Sequence, residues 1–158
     1  MIGMSGEFDN VQSRDSEEKE LTHPRREVIP CDVEVGIDTP QAKTNILLQS
    51  YISKAQPEDF ALSNDMNYVA QQSGRICRAL FMLALNRRWG HQCLVLLTLA
   101  KSIEKRIWPY QHPLHQFDLA KSVLNQLAAK ESLTVETMKD MEPAEIGGLI
   151  HNQSAGKN

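Results

Sequence analysis

The segment from about Asn64 to Trp89 constrains the fold most, because it keeps a helical period without interruption. Apolar or small side chains recur there at spacings of three and four residues, which is typical of one buried helix face. That core stripe consists of Val69, Ser73, Ile76, Leu80 and Leu83, widened by Cys77 and Ala84. Asn64 or Asp65 can cap the start and Gly90 can stop the helix. Such a helix is about 38 Å long and needs other helices to cover its face.

The side of this helix opposite the core stripe carries polar and basic residues. Gln71, Arg75, Arg78 and Met82 follow an i, i+4, i+7, i+11 spacing, which places them in one row. Residues 66–116 contain seven Arg and Lys residues and one acid, Glu104, so their charge is +6 in a chain of net charge −3. A basic middle between acidic flanks indicates a polyanionic partner, and a solvated helix face is the alternative interpretation.

The remaining segments also favour helices, and aromatic residues make up only 6% of the chain. Helical patterns cover residues 41–55, where Thr39 can act as the cap, then 91–107 and 119–130. Two short helices are expected at 135–141 and 143–151, around a tight turn. We therefore predict an all-α fold, a helical bundle with a long central helix followed by a small helix-hairpin-helix module. The predicted domains are an N-terminal arm or connector (1–40), the bundle (41–131) and the module (132–158).

Candidate catalytic and metal sites are weak. The C-terminal AGKN at 155–158 resembles the end of a phosphate-binding loop, but His151 and Asn158 replace the required glycine and hydroxyl residue. His112 and His115 lack partners at zinc-ligand spacing. We therefore expect no catalytic residue, no metal site and no cofactor site in this chain.

The cysteines and the apolar runs bear on the cellular compartment. Cys31, Cys77 and Cys93 are widely spaced, which favours free thiols in a reducing, intracellular compartment. Cys77 and Cys93 lie in apolar surroundings, where thiols are usually inert. The most apolar stretch, 93–100, is too short to cross a bilayer, and we expect no membrane contact.

The remaining candidate site is a nucleic-acid interface on the long helix. Arg75 and Arg78, with Gln71 and Gln72 beside them, offer planar donors, and guanidinium matches phosphate and also stacks on bases. In the alternative interpretation, one or both arginines pair with acids of the N-terminal arm. The residues alone leave both interpretations open.

Several runs of residues resemble the Sec-sixty-three homology unit of the large dual-cassette superfamily-two RNA helicases. These runs are KTNILLQSYIS at 43–53, YVAQ at 68–71, GRICRALF at 74–81, NRRW at 86–89, KRIW at 105–108 and PLHQF at 113–117. The tail, with LTVE at 133–136 and MEPAEIG at 141–147, is similar to the helix-hairpin-helix module that follows the bundle there. Within the family, the runs are most similar to the helicase subunit of the activating signal cointegrator complex and its fungal relatives.

The resemblance implies a role for the long helix. In this family the equivalent helix, called the ratchet helix, contacts the nucleic-acid backbone at the exit of the strand channel. The resemblance thus implies nucleic-acid-binding roles for Arg75 and Arg78, with Gln71 and Gln72 beside them, although relatives often have a smaller residue in place of Gln72. The tail lacks the family's strong Gly-x-Gly hairpin and carries Asp140, Glu142 and Glu145, which disfavours backbone contact there.

The resemblance also implies a function and a set of partners. It implies a non-catalytic accessory domain of an ATP-dependent RNA helicase, with ATP and Mg bound by the parent helicase, in ribosome-associated quality control. The implied partners are single-stranded RNA (DNA is left open), the motor domains of the same polypeptide, and ribosome or cointegrator-complex subunits. The implied location is the cytoplasm, with the nucleus left open. Two alternatives are a protein-interaction scaffold within the helicase complex and the equivalent unit of the spliceosomal U-five helicase.

Overall fold

A computed structural model describes residues 2–14, 17, 21, 28–33, 36, 38–117, 119–130 and 134–149. The chain divides into two compact units, Met1–Trp108 and Pro109–Asn158, which are described separately below. Within the described ranges every regular element is a helix, which confirms the predicted all-α class. The boundaries predicted at residues 40 and 131 stay predictions.

The first unit is built from three α-helices. They are α1 (Pro40–Ile52), α2 (Phe60–Asn86) and α3 (Gly90–Lys105), and short 3₁₀ turns at Ile2–Met4 and Gly6–Phe8 precede them. Thr39 caps α1 as predicted, because its hydroxyl accepts the amide hydrogen of Ala42 at 3.2 Å. The core includes apolar side chains from all three helices and from the N-terminal arm: Phe8, Val11, Leu21, Ile46, Leu47, Ile52, Leu62, Met66, Val69, Cys77, Leu96 and Ile103.

The start of the long helix α2 differs from the prediction. The cap is Asp59, whose Oδ1 accepts the amide hydrogen of Leu62 at 2.9 Å, and not Asn64 or Asp65. The apolar pattern hides this start, because the first helical residue, Phe60, is 80% exposed. At the other end α2 stops at Asn86, before the predicted Trp89, and Gly90 is the first residue of α3.

The predicted core stripe of α2 is confirmed over most of its length. Val69, Ser73 and Cys77 are fully buried, and Ala84 is also buried. Leu83 was predicted to be inward but is 51% exposed. It lies about 80° around the helix from Ser73, at the edge of the stripe, where a small rotation decides burial.

One buried ion-pair network joins the N-terminal arm to α1 and α2. The ammonium of Lys43, whose side chain is 0% exposed, donates to Glu17 Oε2 at 2.6 Å, to Asp65 Oδ2 at 2.8 Å and to the backbone oxygen of Gln12 at 2.9 Å. Arg14 Nη1 donates to the other oxygen of Glu17 at 2.7 Å. All three ammonium hydrogens therefore have acceptors, which is the condition for a charge to be tolerated in a core.

The second unit is smaller and has its own apolar cluster. It contains a 3₁₀ turn at Pro113–Gln116 and the helices α4 (Lys121–Ala128), α5 (Val135–Lys139) and α6 (Pro143–Leu149). Val123 is buried there, with Leu114, Leu119, Leu124, Met138, Met141, Ile146 and Leu149 packed around it. The two short helices predicted for the tail are present, and Pro143 opens the second of them as expected.

Replacement of Lys43 by Met tests the buried network. The change keeps the side-chain length but leaves the Glu17 carboxylate buried without its main partner, so we expect the free energy of unfolding to fall by about 3–5 kcal/mol. Denaturant-induced unfolding measures this loss. The exposed Lys101 gives the matched control, since Lys101→Met should change the free energy by no more than about 0.5 kcal/mol. A loss below about 1 kcal/mol for Lys43→Met would contradict this description.

Candidate nucleic-acid interface

The four predicted site residues lie in the middle of α2 on its solvent side. Gln71, Arg75 and Arg78 are exposed, and Gln72 is half-buried. Arg75 and Arg78 lie about 60° apart around the helix axis, so their side chains leave α2 in different directions. The two arginines of the predicted row therefore lie in different surroundings.

Arg75 faces the N-terminal arm. Its Nη2 lies 2.5 Å from Glu7 Oε1, and the two side chains are 63% and 36% exposed. The hydroxyl of Tyr68 donates to the backbone oxygen of Glu7 at 3.3 Å, and the ring of Phe8 meets the ring of Tyr68 edge-on, with centroids 6.4 Å apart. For Arg75, the alternative interpretation, a pair with an acid of the arm, thus describes the structure. An exposed pair of this kind contributes only about 0–1 kcal/mol, so a phosphate can compete with Glu7.

Arg78 is in a different situation. It is exposed, and in the part of the chain that the structure describes it makes no hydrogen bond or ion pair. It lies at a groove of about 390 Å³ between α2 and α3, which Tyr51 of α1 also lines, within the first unit. The groove is lined by Tyr51, Asn67, Ala70, Gln71, Gly74, Arg78, Ala100, Ile103 and Glu104.

The groove contains residues that the sequence did not single out. Four of the lining residues lie on α2 with the same i, i+4, i+7, i+11 spacing as the predicted row, but this row starts at residue 67 instead of 71. They are Asn67, Gln71, Gly74 and Arg78. That spacing could have been found, since two of its members were already candidates. The lining residues of α3, among them Glu104, could not have been found in this way. Which side of α3 faces the groove depends on how the two helices pack, and the sequence of α2 does not indicate it.

Two other basic residues of the 66–116 segment have partners within the first unit. The guanidinium of Arg106 stacks on the ring of Tyr51, 4.5 Å from its centroid, and its Nε donates to the Tyr51 backbone oxygen at 2.9 Å. Lys105 Nζ lies 3.4 Å from Glu104 Oε1, with both side chains mostly exposed. Because Arg75 is paired with Glu7, Arg78 is the predicted site residue whose charge is most available to a ligand.

Cys77 lies one residue from Arg78 but points into the core. Burial raises the pKa of its thiol, and the nearby charge of Arg78 opposes this shift. The thiol donates to the backbone oxygen of Leu96 at 3.2 Å. A protonated, buried thiol is a poor nucleophile, so the geometry assigns Cys77 to packing.

The described residues also bear on two other kinds of site, a metal centre and a membrane span. They include no group of three or more His, Cys, Asp or Glu residues that could hold a metal ion. Among the described helices, none combines the length and the apolar character needed to span a membrane.

An apolar surface covers the end of α2 and the start of α3. Its large side chains are 39–64% exposed, which is unusual for so many neighbours in sequence. We call this surface the apolar tip, and it consists of Met82, Leu83, Leu85, Trp89, Leu94, Val95 and Leu97.

Comparison with known proteins supports one family. The family model described as the Sec63 Brl domain matches residues 1–144. The chain is 47% identical over 156 residues to the RQC trigger complex helicase SLH1 of Saccharomyces cerevisiae, covering 99% of this chain and 8% of that protein. It is 40% identical over 157 residues to activating signal cointegrator 1 complex subunit 3 of Gallus gallus, and 35% identical over 159 residues to the DExH-box ATP-dependent RNA helicase DExH14 of Arabidopsis thaliana. Each of these two comparisons covers 99% of this chain and 7% of the relative.

The resemblance drawn from the residue runs is thereby confirmed, although the chain spans less than a tenth of the length of these relatives. The family model covers most of the chain, including all of the first unit and the start of the last helix α6. The chain belongs to the Sec63 Brl domain family, in the form found in helicases of the SLH1 and activating signal cointegrator type.

Proposed function

We propose that this chain is a non-catalytic accessory domain of an ATP-dependent RNA helicase, and that it guides a single nucleic-acid strand along α2. The observation that carries the proposal is Arg78, which is exposed in the middle of a long, rigid helix and unpaired within the described ranges. A guanidinium in this setting offers a phosphate two parallel hydrogen bonds, and its own helix holds it in place.

Arg75 gives the surface a second, exchangeable contact. Its pair with Glu7 is exposed to solvent, so replacing the carboxylate by a phosphate costs little. A strand passing over α2 then meets Arg78 first and Arg75 after release of Glu7. Gln71 and Gln72 lie next to them and add neutral donors.

In this proposal, ATP is hydrolysed by other parts of the polypeptide. ATP and Mg bind to motor domains outside this chain, and the strand is held here while they move. The name of the yeast relative, an RQC trigger complex helicase, supports a role in ribosome-associated quality control. We propose single-stranded RNA as the ligand and the cytoplasm as the location, and the equivalent unit of the spliceosomal U-five helicase remains the alternative parent.

Charge reversal at both arginines tests the guiding role. The double variant Arg75→Glu, Arg78→Glu should bind single-stranded RNA at least about tenfold more weakly, since a hydrogen bond to a charged group contributes about 1.5–3 kcal/mol. Loss of two phosphate contacts should also make the slope of log K against log salt shallower by about 1.4. Fluorescence anisotropy over a salt series measures both quantities.

The second unit supplies the control for this charge change. Lys121 and Lys139 are both exposed, and Lys121→Glu with Lys139→Glu makes the same change in net charge away from α2. We expect this control to keep most of the affinity and the salt slope. Equal losses of affinity in the two double variants would show that binding follows net charge alone and would contradict the guiding role of α2.

A second candidate function, a protein-interaction scaffold, is favoured by the apolar tip. Seven large apolar side chains at the junction of α2 and α3 remain exposed when only the described residues are considered. Surfaces of this kind usually mark contacts with other proteins or domains. We propose that the motor domains of the same polypeptide cover it, which would fix one end of α2 relative to the motor.

Substitution of Trp89 tests the scaffold role. Trp89→Glu should abolish capture of a separately produced motor segment by this chain, because a charge in an apolar contact must be desolvated. Phe60→Glu is the matched control, since Phe60 is also an exposed aromatic residue and lies at the opposite end of α2. Pull-down after nuclease treatment measures capture without an RNA bridge. Capture that persists in Trp89→Glu, or that disappears on nuclease treatment of the original chain, would rule this role out.

A further inference from the structure

We propose that the groove between α2 and α3 receives a nucleobase, and that Glu104 makes it prefer bases with an exocyclic amine, cytosine above uracil. This inference rests on the proposed function and deepens it. A strand held only by its phosphates would be read without regard to sequence. A base in this groove would add a modest sequence preference to the same helix.

Gly74 provides the first argument, because no contact or backbone angle among the described residues requires a glycine there. It lies in the interior of α2, where glycine costs about 0.5–1 kcal/mol relative to alanine. Its φ angle is not positive, and a Cβ added to it would meet only Ile103 Cγ2 at 3.9 Å, an ordinary van der Waals contact. The missing side chain instead leaves room in the groove, as expected where a ligand approaches a helix closely.

The dimensions of the groove fit a base and its neighbour. Its volume of about 390 Å³ lies within the usual range for small-ligand sites. Asn67 and Arg78 bound it along α2, about 16 Å apart at 1.5 Å per residue. Ile103, Ala100 and Gly74 give it an apolar floor on which a flat ring can lie.

The charges at the groove assign the phosphate and the base to different places. Arg78 is basic and Glu104, on the opposite helix, is acidic, and both side chains are exposed. A phosphate inside the groove would be repelled by Glu104, so the phosphate belongs at the Arg78 side. The base itself is uncharged and can lie beside both residues without this penalty.

Glu104 provides the preference between bases. An ionised carboxylate only accepts hydrogen bonds, so it suits the amine at N4 of cytosine. The donor of uracil, its N3–H, lies between two carbonyl oxygens that repel a carboxylate, so the same contact is weaker with uracil. The contact of Glu104 with Lys105 is exposed and 3.4 Å long, which leaves the carboxylate able to accept another donor. The amides of Asn67 and Gln71 both donate and accept, so they contribute affinity with little preference.

Binding of short cytidine and uridine oligonucleotides of equal length to the full chain tests the inference. We expect the cytidine oligonucleotide to bind about tenfold more tightly, in line with one specific contact to a base edge. Glu104→Gln should abolish the preference, because a side-chain amide can donate to O4 of uracil. Glu136→Gln, an equal change at an exposed acid of the second unit, should leave the preference intact.

Filling the groove provides an independent test. Gly74→Leu should weaken binding of the cytidine oligonucleotide and reduce the preference, while Ala79→Leu adds the same side chain to an exposed position of α2 outside the groove and should do neither. Leucine is a strong helix former, and circular dichroism verifies that α2 is retained in both variants.

The outcomes separate this inference from the proposed function. Equal binding of the two oligonucleotides, with affinity still lost in the Arg75→Glu, Arg78→Glu variant, overturns the base site and leaves the guiding role standing. A cytidine preference that survives Glu104→Gln also overturns it. Absence of binding to either oligonucleotide overturns both proposals.

Discussion

The buried ammonium of Lys43 is the interaction on which the first unit depends. It joins the arm, through Glu17 and Gln12, to α1 and to Asp65 of α2. A buried charge is tolerated only when its hydrogen bonds are complete, so the arm cannot leave this position without leaving ions unpaired in the core. The same arm carries Glu7 and Phe8 to α2, where they contact Arg75 and Tyr68.

Because the arm lies against α2 at this place, Arg75 is paired, whereas no described residue of the arm pairs with Arg78. Arg75 is held by Glu7 and becomes available only when that exposed pair opens, whereas Arg78 already faces solvent beside the groove. A ligand that binds both therefore displaces the arm from one contact while the Lys43 network keeps the rest in place. The long helix remains rigid because its core stripe, from Val69 through Cys77, stays packed on its neighbours.

The sequence predicted the parts of this picture that local chemistry determines. The all-α class and most of the core stripe follow from the helical spacing of the apolar residues, and the Thr39 cap follows from the capping preference of threonine. The start of α2 was predicted too late, because an exposed Phe60 follows the true cap, and Leu83 was predicted inward because it lies at the edge of the stripe. The pairing of Arg75 with Glu7 and the groove shared with Glu104 depend on contacts between distant segments, which a pattern along one helix does not contain.

Ultraviolet crosslinking of single-stranded RNA to the full protein, followed by mass spectrometry of the crosslinked peptides, tests the central claim most directly. We expect crosslinks within residues 67–78 of α2 and on the α3 side of the groove, near Glu104. Crosslinks confined to the second unit, with none on α2, would contradict it.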